Sequence, residues 1–190
     1  MKKIIWIVTI AIFACMENSC INMRSTSRTQ VAANESSPTS WNEELARRLP
    51  LLGHRNWIVV TDMAYPLQSS SGITTLYAHD SYEQVLAQVK GMIDAAPHVY
   101  AHIYQDKESD YVEAPGMDKW REAVTHLLGS ERTTLPHEQL IARLDTAGRL
   151  YSVVIIKTPL TIPYTTTFFE LDCKYWDAAR QAQLDKKMGR

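Results

Sequence analysis

Residues 52–66 constrain the fold more than any other stretch of this chain. Leu52-Gly53-His54-Arg55-Asn56 reads as a turn, Trp57-Ile58-Val59-Val60-Thr61 as a short apolar strand, and Asp62-Met63-Ala64-Tyr65-Pro66 as the loop that leaves it. The β-branched residues at 58–61 suit a covered, pleated strand. Asp62 then falls just beyond the carboxyl end of that strand, where open α/β sheets usually hold ligands. Gly53 supplies backbone freedom next to His54.

The rest of the chain alternates helix and strand signals. Ser40 is placed to cap a helix from Trp41, with Glu43 and Glu44 in its first turn, and Pro50 closes it. After a Ser-rich loop at 67–72, residues 73–77 form a short strand. Asp80 or Ser81 opens a helix whose inward face is Val85, Leu86, Val89, Met92 and Ile93. Residues 98–104 read as a strand, 105–115 as a charged loop, and 117–128 as a helix with Trp120, Val124, Leu127 and Leu128 inward. An extended piece at 131–135 precedes Pro136, which suits a first helical turn; Leu140, Ile141 and Leu144 line that helix and Gly148 stops it. Residues 150–157 form the second strongly apolar strand. This order implies an α/β fold, three layers (α/β/α) around a largely parallel sheet. The tail adds a Thr-rich strand at 164–170 and a last helix from about residue 174.

Length and charge narrow the function classes. A chain of 190 residues fits one main domain, and a formal net charge of −1 carries no signal of nucleic-acid binding. Lys2-Lys3 and the apolar run from Ile4 to Ala14 have the form of a signal peptide, shorter than the roughly 20 residues of a membrane span. Ile12-Phe13-Ala14-Cys15 resembles a bacterial lipoprotein cleavage box, with Cys15 as the lipidated residue; ordinary cleavage near Ser19 is the alternative. The protein is therefore expected to be exported and membrane-anchored, periplasmic or at the cell surface. Residues 15–40 are polar and lack apolar periodicity, which reads as a tether. The expected organisation is a signal peptide at 1–14, the tether at 15–40, a domain at 41–158 and an extension at 159–190 packed on that domain. Three cysteines exclude a disulfide framework.

Gly53-His54, the apolar strand, Asp62 and Pro66 together resemble the core motif of the ribose pyranase/fucose mutarotase family, in which a Gly-His pair precedes an apolar strand ending in Asp. The resemblance covers roughly residues 45–158 and is most specific at 52–66. It implies interconversion of ring forms or anomers of a free monosaccharide, with no cofactor, since ring opening needs only proton transfer. His54 takes the catalytic position, as imidazole shuttles protons near neutrality with an unperturbed pKa of about 6.5. Asp62 takes the position of a carboxylate that accepts sugar hydroxyls. Thr133-Thr134-Leu135-Pro136-His137-Glu138-Gln139 resembles a second histidine segment and makes His137 a sugar ligand. Tyr151 and Ser152 match the closing motif, where Val153 replaces the family's Asn. Family members assemble into rings with sugar at subunit contacts, which implies a homo-oligomer.

Plainer readings stand beside these. A lone loop histidine is commonly solvated, and Asp62 suits a turn carboxylate bonding its own backbone. Val153 and the extension favour a sugar-binding protein without turnover. His98 and His102, four apart on a strand, lie about 13 Å from each other, too far to share a zinc with nitrogen ligands near ~2 Å. An extended path from His54 to Asp62 spans roughly 26 Å. Either the chain folds back near Gly53, or the site joins residues of neighbouring subunits.

Overall fold

The computed structural model describes residues 39–130 and 132–190. The signal peptide, Cys15 and nearly all of the tether lie outside these residues. Six strands form one mixed sheet in the order β2-β5-β1-β6-β3-β4: β1 (Trp57–Thr61), β2 (Ile73–Tyr77), β3 (Val99–Asp106), β4 (Thr133–Leu135), β5 (Val153–Lys157) and β6 (Thr167–Cys173). β5 pairs in parallel with both β1 and β2, and β3 in parallel with β4. Only β6 runs the other way, antiparallel to β1 and to β3. Five strands therefore share one direction, as the alternation of elements implies.

Helices cover both faces. α1 (Trp41–Arg48), α2 (Tyr82–Ala95) and α3 (Met117–Leu128) lie on one side, over Ile58, Val60, Val154, Ile156, Phe169 and Leu171. α4 (His137–Leu150) covers the other, where Leu140 and Leu144 meet Trp57, Val59, Val153, Ile155 and Phe168. Every residue of β1 is buried, the consequence of an apolar run with no alternating polar position. Ser81 caps α2: its hydroxyl accepts from the Gln84 amide while the Gln84 side chain accepts from the Ser81 N–H. A fifth helix, α5 (Ala178–Met188), buries none of its residues.

Three expectations change. Gly148 does not stop α4, which runs to Leu150. The glycine is there for close approach: a Cβ on it would stand 2.5 Å from Ile73 Cγ1 on β2. Residues 105 and 106 are not loop but the buried end of β3, because Gln105 and Asp106 find polar partners inside. The tail strand begins later than its Thr-rich run and is not laid over a finished domain. It is inserted between β1 and β3, so the domain extends through residue 173.

Candidate active site

Polar residues collect at the edge where β1, β3, β4 and β5 end and β6 begins. Beneath it lies a threonine layer. Thr61 and Thr166 hydroxyls are 2.8 Å apart, Thr158 donates to the Thr61 carbonyl at 2.9 Å, and Thr167 bonds both the Tyr82 hydroxyl and the Gln105 amide. These fully buried threonines explain the Thr-rich tail: a polar strand start can enter the sheet centre only where each hydroxyl is paired.

On this layer stands an imidazole–carboxylate pair. Asp106, at the end of β3, is fully buried, and its Oδ1 lies 2.9 Å from His137 Nδ1 at the start of α4. Its other oxygen, Oδ2, is buried without a hydrogen-bond partner. Burial pushes the Asp106 carboxyl above its ordinary range despite the imidazole beside it. The same hydrogen bond, outweighing the ring's own burial, raises His137 above 6.5. Glu108 accepts the His137 backbone N–H with both carboxylate oxygens, at 3.1 and 3.0 Å, and so fixes the helix start. Tyr65 and Tyr164 meet the imidazole edge-on, with ring centroids at 6.1 and 5.3 Å. Tyr164 holds a positive φ of 57°, a strained conformation for a bulky residue. With Nδ1 facing Asp106, His137 has Nε2 left for a ligand. The ring lines a cavity of about 530 Å³, with Asp62, Tyr65, Glu138 and Tyr164 among its walls.

Asp62 is 6% exposed, and its Oδ1 accepts the Ala64 N–H at 2.7 Å, the backbone-bonding turn that the plainer reading expected. It nevertheless borders the same cavity as His137. Burial and the nearby Asp106 and Asp62 carboxylates push the Tyr65 phenol well above its ordinary value of 10.0.

His54 lies at the opposite edge of the sheet, ahead of β1. The chain does not fold back near Gly53: the five residues of β1 separate His54 from Asp62, a run of about 16 Å at 3.3 Å per residue. His54 Nδ1 lies 2.6 Å from Asp172 Oδ1 on β6, and Arg55 donates through Nε to His54 Nε2 at 3.0 Å. Arg55 also donates to the Tyr151 hydroxyl at 2.9 Å. Burial alone would raise Asp172; the Cys173 N–H and the His54 and His102 rings together hold it below its ordinary range. Among the expected residues, the structure thus joins Asp62 to His137 and His54 to Tyr151, in two groups. Ser152 is exposed beside the second group, and its carbonyl accepts from Trp57 N–H and Asn56 Nδ2. Val153 is fully buried in the α4 core, so it faces no ligand in this chain.

Sequence reasoning missed Asp106, Arg55 and Asp172. Asp106 sat in an apparent charged loop, and Asp172 is 118 residues from its histidine. A polar pair closing an apolar strand, Gln105-Asp106, was the available signal for the first.

No protein-family model matches the sequence, and no curated protein does. Solved structures do match. RbsD of Bacillus subtilis, solved with D-ribose, superposes with a TM-score of 0.54 at 17% identity, over 72% of this chain and 97% of that one. The fucose mutarotase of Streptococcus pneumoniae, solved with L-fucose, gives 0.51 at 18% identity, over 72% and 92%. The chain has the α/β fold of these RbsD- and mutarotase-type proteins.

Proposed function

We propose that this protein is a monosaccharide mutarotase or pyranase, interconverting ring forms or anomers of a free sugar by general acid/base catalysis. The observation that carries this reading is the Asp106–His137 pair opening onto a 530 Å³ cavity, in a fold shared with a ribose-bound and a fucose-bound protein. Ring opening takes a proton from the anomeric hydroxyl and delivers one to the ring oxygen. An imidazole whose Nδ1 is fixed by a buried carboxylate can do both through Nε2. Asp62 and Glu138 stand at the cavity to accept sugar hydroxyls.

His54 and Tyr151 belong to the same reaction only if a second copy brings them. The proposed assembly is a homo-oligomer in which the His54 edge of one chain closes the Asp62–His137 cavity of another. Exchange NMR on free D-ribose and L-fucose tests this. His137→Ala and His54→Ala should each lose about 10²–10⁴-fold in exchange rate. Mixing His54→Ala with His137→Ala chains should then restore part of it, since the intact edge of one and the intact cavity of the other can meet. A monomeric protein with full exchange would refute the shared site.

The second reading, a sugar-binding lipoprotein without turnover, is favoured by the internal engagement of both expected groups. Asp62 bonds Ala64, and His54 is held by Asp172 and Arg55. Sugar binding without exchange would select it. In either case we propose export with a lipid anchor at Cys15.

A further inference from the structure

The His54 edge carries a cleft of about 640 Å³ between α4 and the sheet, continuous through Arg55 and Glu170 with a smaller one, about 220 Å³, at His54 and Asp172. Trp57 lines the larger cleft and Tyr104 the smaller, and their rings stack with centroids 5.6 Å apart. Two guanidiniums line the larger cleft. Arg143 lies 5.5 Å over the Tyr104 ring, and the Arg55 guanidinium donates to an imidazole and a phenol. Neither guanidinium has a carboxylate within ion-pair distance among the described residues. The one acid lining the larger cleft, Glu170, accepts the Tyr104 hydroxyl at 2.9 Å. Arg55 is moreover held at φ 72°, with its N–H on the Leu171 carbonyl. A non-glycine residue in that region is strained, and such residues cluster where ligands are clamped.

Two guanidiniums without a carboxylate partner at one cleft suit a ligand that carries a planar anion, because a guanidinium pairs with a carboxylate through two parallel hydrogen bonds. We propose that the sugar is an acidic one, a free uronic acid, whose carboxylate is taken by Arg55 and Arg143. The inference rests on the ring-form reading above and names its substrate class: in the assembly proposed there this edge meets a neighbour's Asp62–His137 cavity, so the carboxylate is held here while the ring reacts there.

Calorimetry and exchange NMR with matched pairs, D-galacturonate against D-galactose and D-glucuronate against D-glucose, test it on the full chain. The uronate of a pair should bind about 10- to 100-fold more tightly than its neutral partner, the range that one or two charge-assisted hydrogen bonds provide. The advantage should shrink with added salt, collapse in Arg55→Gln and Arg143→Gln, and partly return in Arg55→Lys. Equal or tighter binding of the neutral sugars overturns the substrate class and leaves the ring-form reading standing. An advantage undiminished in the double Gln variant overturns the cleft. Absence of both binding and exchange for every sugar overturns this inference and the ring-form reading together.

Discussion

Asp106→Asn separates what the buried carboxylate does for His137 from what it does for the fold. Asn has nearly the same shape, so the end of β3 stays filled, but the acceptor facing His137 Nδ1 at 2.9 Å loses its charge. A hydrogen bond to a charged group contributes about 1.5–3 kcal/mol, which converts to roughly a 10- to 100-fold loss of sugar exchange. Stability should respond differently. His137 has a folded pKa above 6.5, so its contribution is complete below about 6.5 and is lost as pH rises through the raised value. Asp106, also raised, binds its proton more tightly when folded, so its contribution likewise falls as pH climbs above about 4. Wild-type unfolding free energy should therefore decline with rising pH across both windows, and the Asn variant should be flatter. Above neutrality the variant should match or exceed wild type, since a costly buried charge has gone. Urea melts at stepped pH and exchange NMR on the same samples read both quantities. A folded Asn variant with the wild-type exchange rate and an unmoved pH profile would refute the role given to the pair.

Gly148→Ala should destabilise the domain by about 1–3 kcal/mol in urea melts, because the added methyl meets Ile73 Cγ1 at 2.5 Å and Cδ1 at 2.9 Å. An unchanged midpoint would mean that β2 shifts freely. For Asp172 the sign is opposite to that of the Asp106 pair: its lowered pKa adds stability above about 3.8 that is lost as pH falls through the folded value. Asp172→Asn should flatten this acid limb, and an identical acid limb would remove the weight given to its two imidazoles. Detergent partitioning should move the protein to the aqueous phase in Cys15→Ser, and a wild-type protein already aqueous would defeat the lipid anchor.

Elements held together by local signals were legible. β1, β2 and α3 fall at the residues expected, because each is an apolar run or helical stripe between strong terminators. His137 was singled out by the pattern of the short segment around it, and the structure adds that it shares a cavity with Asp62. The carboxylate bonded to it was not legible: Asp106 lies 31 residues earlier, among charges that look solvated, and only β6 brings the paired threonines that let it be buried. The division of the expected site was half visible. The length of β1 already forbade His54 and Asp62 from touching one small sugar in an unfolded-back chain, but only the straight, fully buried strand rules out a fold-back near Gly53. Val153 misled because its place in the pattern suggested a ligand contact, whereas strand alternation turns it into the α4 core.

The central place of β6 also sets an order of events at the ribosome. β1, β2 and β5 can assemble as one half of the sheet and β3 with β4 as another, but the strand that joins the halves is the last of the six in chain order. Until then both β1 and β3 present bare backbone edges, the surfaces through which nascent chains stick to one another. Closure then demands a distant pairing, Trp57 with Glu170, whose loop entropy must be overcome before any contact rewards it. A chain built this way gains its finished sheet only when β6 arrives, and anything that holds back β6 holds back the whole sheet.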